Sequence, residues 1–232
     1  MSVFLKRFLP IFFFAAMLGY IMAGIWQNQP LQLLTKPLLI PLLMLWVWLN
    51  VAVTKDRILI LVALFFSFAG DVFLLLEYKE PLLFIPGLVS FLLTHILYIV
   101  YFLSLPKGKK SLLKTAPHLV LLVLAYGMAL VYILFPALGA LKIPVVIYAM
   151  VIMSMLLASI HIYYRVPLRV GRLFIAGACF FVLSDSMLAF NKFHSPIIFP
   201  FLIILTYCVA QYFIVKGFII SNHADADVSR VS

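Results

Sequence analysis

Eight long apolar segments dominate this chain: Phe8–Trp26, Leu31–Val53, Ile58–Leu76, Leu82–Ser104, Pro117–Leu138, Ile143–Tyr163, Gly171–Phe190 and Pro196–Ile220. Crossing a hydrocarbon core of about 30 Å takes about 20 residues of α-helix. Inside lipid a segment must satisfy its own backbone polar groups, which leaves only helices and closed barrels. The segments are continuously apolar rather than alternating, so the barrel is excluded. The breaks between them are short: Gln27–Pro30, Thr54–Arg57, Glu77–Pro81, Leu105–Ala116, Gly139–Lys142, Tyr164–Val170 and Asn191–Ser195. None has room for a soluble domain. The expected fold is all-α: a multi-pass membrane protein of eight transmembrane helices. It forms one domain over residues 1–220, followed by a short cytoplasmic tail, Ser221–Ser232.

Composition agrees. Of 232 residues, 66% are hydrophobic and 10% charged. A soluble domain carries about 25% charged residues, so this chain cannot cover a water-facing surface. Lys6 and Arg7 precede the first segment as in a signal peptide. The apolar stretch is longer than a signal core and no small-residue cleavage site follows, so the helix is expected to be retained. Cys179 and Cys208 lie inside apolar runs and suggest neither a metal site nor a disulfide framework.

The net charge is +10, and its distribution explains it. Of 17 Lys and Arg, only Lys36, Lys79, Lys142 and Lys192 fall on one side of the eight-span arrangement. The positive-inside rule places the others, and both termini, in the cytoplasm. The basic surplus then meets anionic lipid, not nucleic acid. Short loops and the absence of trafficking signals favour a bacterial inner membrane over the endoplasmic reticulum. A weak repeat appears at an offset of 114 residues, pairing Pro30 with Pro144, Asp71 with Asp185, Pro86 with Pro200 and Tyr98 with Tyr212. It maps the first four spans onto the last four. Such halves would be related by an axis along the membrane normal.

Charge inside a bilayer costs about 2.5 kcal/mol or more per Asp or Lys at a helix centre. Lys36, Asp71, His95 and Asp185 are the ionisable residues well inside the spans, while His161 and Lys216 lie near cytoplasmic ends within reach of headgroups. Asp71 and Asp185 each precede the outer end of their span by five residues, a depth of about 8 Å. Lys36 lies five residues into its span and Tyr148 falls at the same level. One layer would thus hold two carboxyls, an ammonium and a phenol. His95 and Gln211 sit deeper.

Plain structural roles are open to each. Lys36 could snorkel to the interface, with Pro37 starting its helix there. Tyr98, Tyr148 and Tyr207 could be hydrogen-bonded core residues, and Gln211 could tie helices together. The aspartates could belong to an ion pair with Lys36 or His95. One cation, however, answers only one acid. Two acids in one low-dielectric layer are expected to hold one proton between them, which supplies a general acid and a general base. Ser67, one turn before Asp71, and Ser184 and Ser186, beside Asp185, could donate to the carboxylates. No metal-binding motif and no glycine-rich phosphate loop is present, so no cofactor is indicated.

The pattern of Thr35-Lys36-Pro37, Ser67-Phe68-Ala69-Gly70-Asp71, Phe91 with His95 and Tyr98, Tyr148, Gly177-Ala178 with Phe181, Ser184-Asp185, Leu188-Ala189-Phe190-Asn191-Lys192-Phe193, and Tyr207 with Ala210-Gln211 resembles the YhhN-type lysoplasmalogenases. These are eight-helix integral membrane hydrolases. The pieces run from the second span to the eighth. The first span and the tail contribute nothing.

The resemblance implies hydrolysis of the vinyl ether bond of a lysoplasmalogen. The products would be a fatty aldehyde and a glycerophospho-alcohol bearing ethanolamine or choline. Asp71 and Asp185 would be catalytic, with Lys36, Ser67, His95, Tyr148, Ser184, Asn191 and Gln211 supporting or contacting the substrate. Lys36 would face the phosphate, with Asn191 and Lys192 at the mouth, and Phe and Leu side chains would line the chain groove. Partners would be the lysolipid and membrane lipids.

Rivals exist. An intramembrane aspartyl protease would need Gly-x-Gly-Asp, and Phe68 breaks that pattern. A proton-coupled transporter or lipid carrier would suit the repeat and the acids, but the helices lack paired mid-span breaks around the acids.

Overall fold

In the computed structural model, backbone is described for residues 2–105, 111–195 and 200–231, and side chains for 4–105, 111–195 and 200–223. All regular structure among the described residues is helical. The long helices are α1 (Ser2–Ile25), α2 (Gln29–Asn50), α3 (Lys55–Leu76) and α4 (Phe84–Ser104). A single turn, α5 (Leu112–Thr115), precedes α6 (His118–Leu134), α7 (Lys142–His161), α8 (Leu168–Phe193) and α9 (Phe201–Val231). Among the described residues, eight helices are long and apolar enough to cross a membrane.

Capping chemistry sets several boundaries. Asn28 accepts from the Leu31 amide at 3.1 Å, and Pro30 sits in the first turn of α2, where its missing N–H costs nothing. Thr54 caps α3 through the Arg57 amide at 3.0 Å. The Arg57 side chain is buried under this turn, giving a hydrogen bond to the Val51 carbonyl at 2.8 Å and stacking 4.3 Å from the Trp48 ring. Gly139 takes φ +52° in the turn before α7, with open space around it. That is a left-handed conformation suited to glycine.

Three readings change. Pro37 does not start a helix: α2 runs from Gln29 through both Pro37 and Pro41. Lys36 therefore lies about 10 Å along the helix, too far in for its charge to be an end effect. The break at Leu105–Ala116 contains α5, whose cap Ser111 holds His161 Nδ1 at 2.7 Å, so one ring nitrogen of His161 faces a loop hydroxyl. The tail continues α9 as far as Val231. The expected start of the last span at Pro196 lies outside the described residues.

The chain forms two compact units, one of residues 1–98 with 222–232 and one of residues 99–221. In the first, α3 and α4 pack closely because glycine permits it. A Cβ on Gly70 would stand 2.7 Å from the Phe91 ring, and one on Gly87 2.9 Å from Leu74. Hydroxyls reinforce the contact: Ser67 donates to Thr94 Oγ1 at 3.2 Å, and Thr94 in turn reaches the Ala63 carbonyl at 3.1 Å. In the second unit α8 meets α9 the same way. A Cβ on Gly177 would lie 2.7 Å from Ile214 and 3.1 Å from the Ala210 carbonyl. Small residues that let backbones approach are the usual glue between helices in lipid. Tyr101, Phe102, Phe174 and Phe218 fill the core beneath.

Candidate functional site

Each unit carries one intramembrane acid on the third of its spans, and each acid is met by a side chain from the second. In the first unit, α3 presents Asp71, 3% exposed, and α2 presents Lys36 with its Nζ 3.8 Å from the carboxylate. The ammonium also lies 5.8 Å from the Tyr20 ring centroid on α1. An N–O separation of 3.8 Å is longer than a direct charge-assisted hydrogen bond, about 2.7–2.9 Å. The pair is thus electrostatic, and the ammonium keeps donors for another acceptor. At an effective dielectric of about 20 the attraction is about 4 kcal/mol. That offsets more than half of the cost of about 5–7 kcal/mol for two charges in the bilayer.

Lys36 opens onto a pocket of about 500 Å³ whose polar walls are Tyr20, Gln27, Gln29, Gln32, Lys36 and Tyr78. Apart from Lys36, this set escaped the sequence reading. The signal was present as three glutamines around the Asn28-Pro30 break, where the reading saw only a loop.

In the second unit, the Tyr148 hydroxyl of α7 donates to Asp185 Oδ2 of α8. One residue on, Ser186 accepts from the Tyr126 hydroxyl of α6 at 2.8 Å and donates to the Val182 carbonyl at 2.6 Å. Three helices are tied together at this level. Tyr148, Asp185 and Ser186 are the polar walls of a cavity of about 40 Å³, the remainder being aliphatic side chains of α6, α7 and α8. A water needs about 10–15 Å³ and two or more polar partners. The cavity can therefore hold about two, beside the Asp185 carboxyl. Leu134, Leu138 and Val145, packed against Ala189, Phe190 and Phe193, close the adjacent end of the bundle.

The other expected residues have their own places. Ser184 donates to the Ile203 carbonyl of α9 at 3.0 Å, so its single proton serves backbone rather than a carboxylate, and Ser186 is likewise committed to Val182. Ser67 joins the Thr94 network of the first unit. His95 is fully buried on α4. Gln211 is fully buried on α9 with its amide nitrogen 3.3 Å from the Tyr207 hydroxyl. Asn191 is half-buried near the end of α8. Among the described residues, no group of three or more His, Cys, Asp or Glu side chains gathers as a metal site would need.

The YhhN family model matches residues 31–218. The chain belongs to the YhhN family. Lys36, Asp71, Tyr148 and Asp185 all fall inside the matched interval. Membership in the YhhN family supports a hydrolytic, lysoplasmalogenase-like role at the level of the family, and the eight apolar helices are consistent with a lipid substrate. No curated protein and no solved structure matches this YhhN chain.

Proposed function

We propose that the protein hydrolyses the vinyl ether bond of lysoplasmalogens, with Asp71 and Asp185 dividing the acid and anion roles. The observation that carries this reading is the difference between the partners. Asp71 has an ammonium at 3.8 Å, whereas Asp185 has a phenol and a small cavity with room for water. Asp185 is therefore assigned the proton donor and Asp71 the anion.

The chemistry closes on these groups. Asp185 gives its proton to the outer alkene carbon, and the ether oxygen shares the positive charge left on the inner carbon. That charge needs an anion, the role given to Asp71. A water in the Asp185 cavity adds to the inner carbon and returns a proton to Asp185. The hemiacetal passes its hydroxyl proton to the glycerol oxygen and collapses, giving fatty aldehyde and glycerophospho-alcohol. One water is consumed and the acid is regenerated. Protonating carbon is slow, so a donor held beside the bond gains chiefly from proximity. The glutamine-rich pocket at Lys36 offers hydrogen-bond donors of the kind a phosphate takes.

The test is aldehyde release from an alkenyl lysolipid by purified protein. A positioned acid contributes about 10²–10⁴-fold. Asp71→Asn and Asp185→Asn should each remove that factor while the helical spectrum is unchanged. Full turnover in both variants would take the aspartates out of the mechanism. Lipid uptake into sealed vesicles without product would replace hydrolysis by transport.

A further inference from the structure

The face of the second unit between α6 and α7 is not smooth. It carries an apolar groove of about 950 Å³, near the upper end of the range of about 300–1,000 Å³ for ligand pockets. Gly127 helps to form it. A Cβ there would come within 2.9 Å of Met153 Cγ, so the two helices approach closely and their flanking side chains stand up as rims. Met128, Tyr132 and Met150 on those rims are 67%, 82% and 57% exposed. Thioether side chains are flexible and adapt to irregular apolar partners. Along α7 the groove runs from Val146 to Leu157, about 16 Å.

Its chemistry matters at one end. Val131, Ala149 and Met153 wall both this groove and the cavity that holds Asp185 and Tyr148. The other end, at Leu124, Ser154 and Leu157, is remote from any acid of the unit. An apolar trough that is one side chain thick from an intramembrane carboxyl fits an amphiphile with a single tail. A two-tailed lipid would leave its second chain outside the trough. We propose that the α6–α7 groove is the site for the hydrocarbon chain of a single-chain lipid, which enters sideways from the bilayer with its reactive end at Asp185 and its tail towards Leu124 and Leu157. This rests on Asp185 being at the reacting centre.

The experiment separates the two claims. A lysolipid with a photoreactive group near its tail end is irradiated with the full-length protein in lipid nanodiscs, and labelled positions are mapped. Label is expected at Leu124, Ser154 and Leu157, competed by unlabelled alkyl lysolipid, and the same in Asp185→Asn because binding does not need the chemistry. Ser154→Trp and Leu124→Trp fill the far end, so the ratio of kcat/KM for long over short chains should fall about tenfold, the scale set by losing apolar contacts in a pocket. Leu121→Trp, 71% exposed on α6 but outside the groove, should leave that ratio unchanged. Scattered label without competition, an unchanged ratio in both far-end variants, or cross-links between two copies through groove residues would overturn the proposal. A protein that hydrolyses no alkenyl lysolipid but still shows competed label in the groove would sink the reaction and keep the chain site.

Discussion

Replacing Lys36 by Met removes the cation beside a buried acid and leaves the rest of α2 intact. Asp71 is 3% exposed and its carboxylate lies 3.8 Å from Lys36 Nζ. Two routes bound the cost. If the carboxylate stays ionised, the lost attraction is about 4 kcal/mol at an effective dielectric of about 20. If it takes up a proton instead, an acid with an ordinary pKa of about 3.9 costs about 4 kcal/mol to protonate at pH 7, and only about 1.5 at pH 5. A cost of up to about 4 kcal/mol at pH 7 is therefore expected for Lys36→Met, shrinking by at least half at pH 5. Asp71→Asn alone leaves the ammonium, which can turn to the Tyr20 ring and the glutamine pocket, so its cost should be smaller. The Lys36→Met/Asp71→Asn double variant should recover most of the loss. The assay is reversible unfolding in mixed micelles at both pH values, read as a double-mutant cycle. A coupling below about 0.5 kcal/mol, the scatter for independent sites, together with a pH-independent Lys36→Met cost, would refute the ion-pair argument.

Tyr148→Phe removes the hydroxyl that donates to Asp185, and should lower kcat about 10–100-fold with little change in KM, measured by aldehyde release. Gly177→Ala places a methyl 2.7 Å from Ile214 and 3.1 Å from the Ala210 carbonyl, and because backbone cannot step aside it should cost about 1–3 kcal/mol in the same unfolding assay. Cysteines introduced at Lys79 and Lys192, both exposed, should react with an impermeant thiol reagent from outside intact cells. Reaction only after lysis would invert the topology.

The spans were legible because lipid forces each segment to satisfy its own backbone, and a run of about 20 apolar residues has one solution. What the sequence hid was local. Pro37 was open to reading as a helix start, yet α2 passes through it and through Pro41, since packed neighbouring helices can accommodate interior prolines in a membrane.

The Lys36–Asp71 pair was foreseeable because a charge in lipid must find its opposite. For Asp185 the layer argument brought Tyr148 to the right depth but could not choose a donor. The flanking serines looked equally suitable. Their hydroxyls go to carbonyls instead, as Ser and Thr in helices often do. The pocket of Tyr20, Gln27, Gln29, Gln32 and Tyr78 depends on how α1 turns into α2 and how α3 ends beside them, which no periodicity records.

Isotope tracing tests carbon protonation by an intramembrane acid most directly. Purified protein turns over an alkenyl lysolipid in heavy water, and in a parallel reaction in heavy-oxygen water, and the products are weighed by mass spectrometry. One deuterium on the aldehyde carbon next to the carbonyl, and no heavy oxygen in the glycerophospho-alcohol, is the expected result. Heavy oxygen in the alcohol, or aldehyde without that deuterium, would mean that the bond breaks by another route and that Asp185 is not the proton donor.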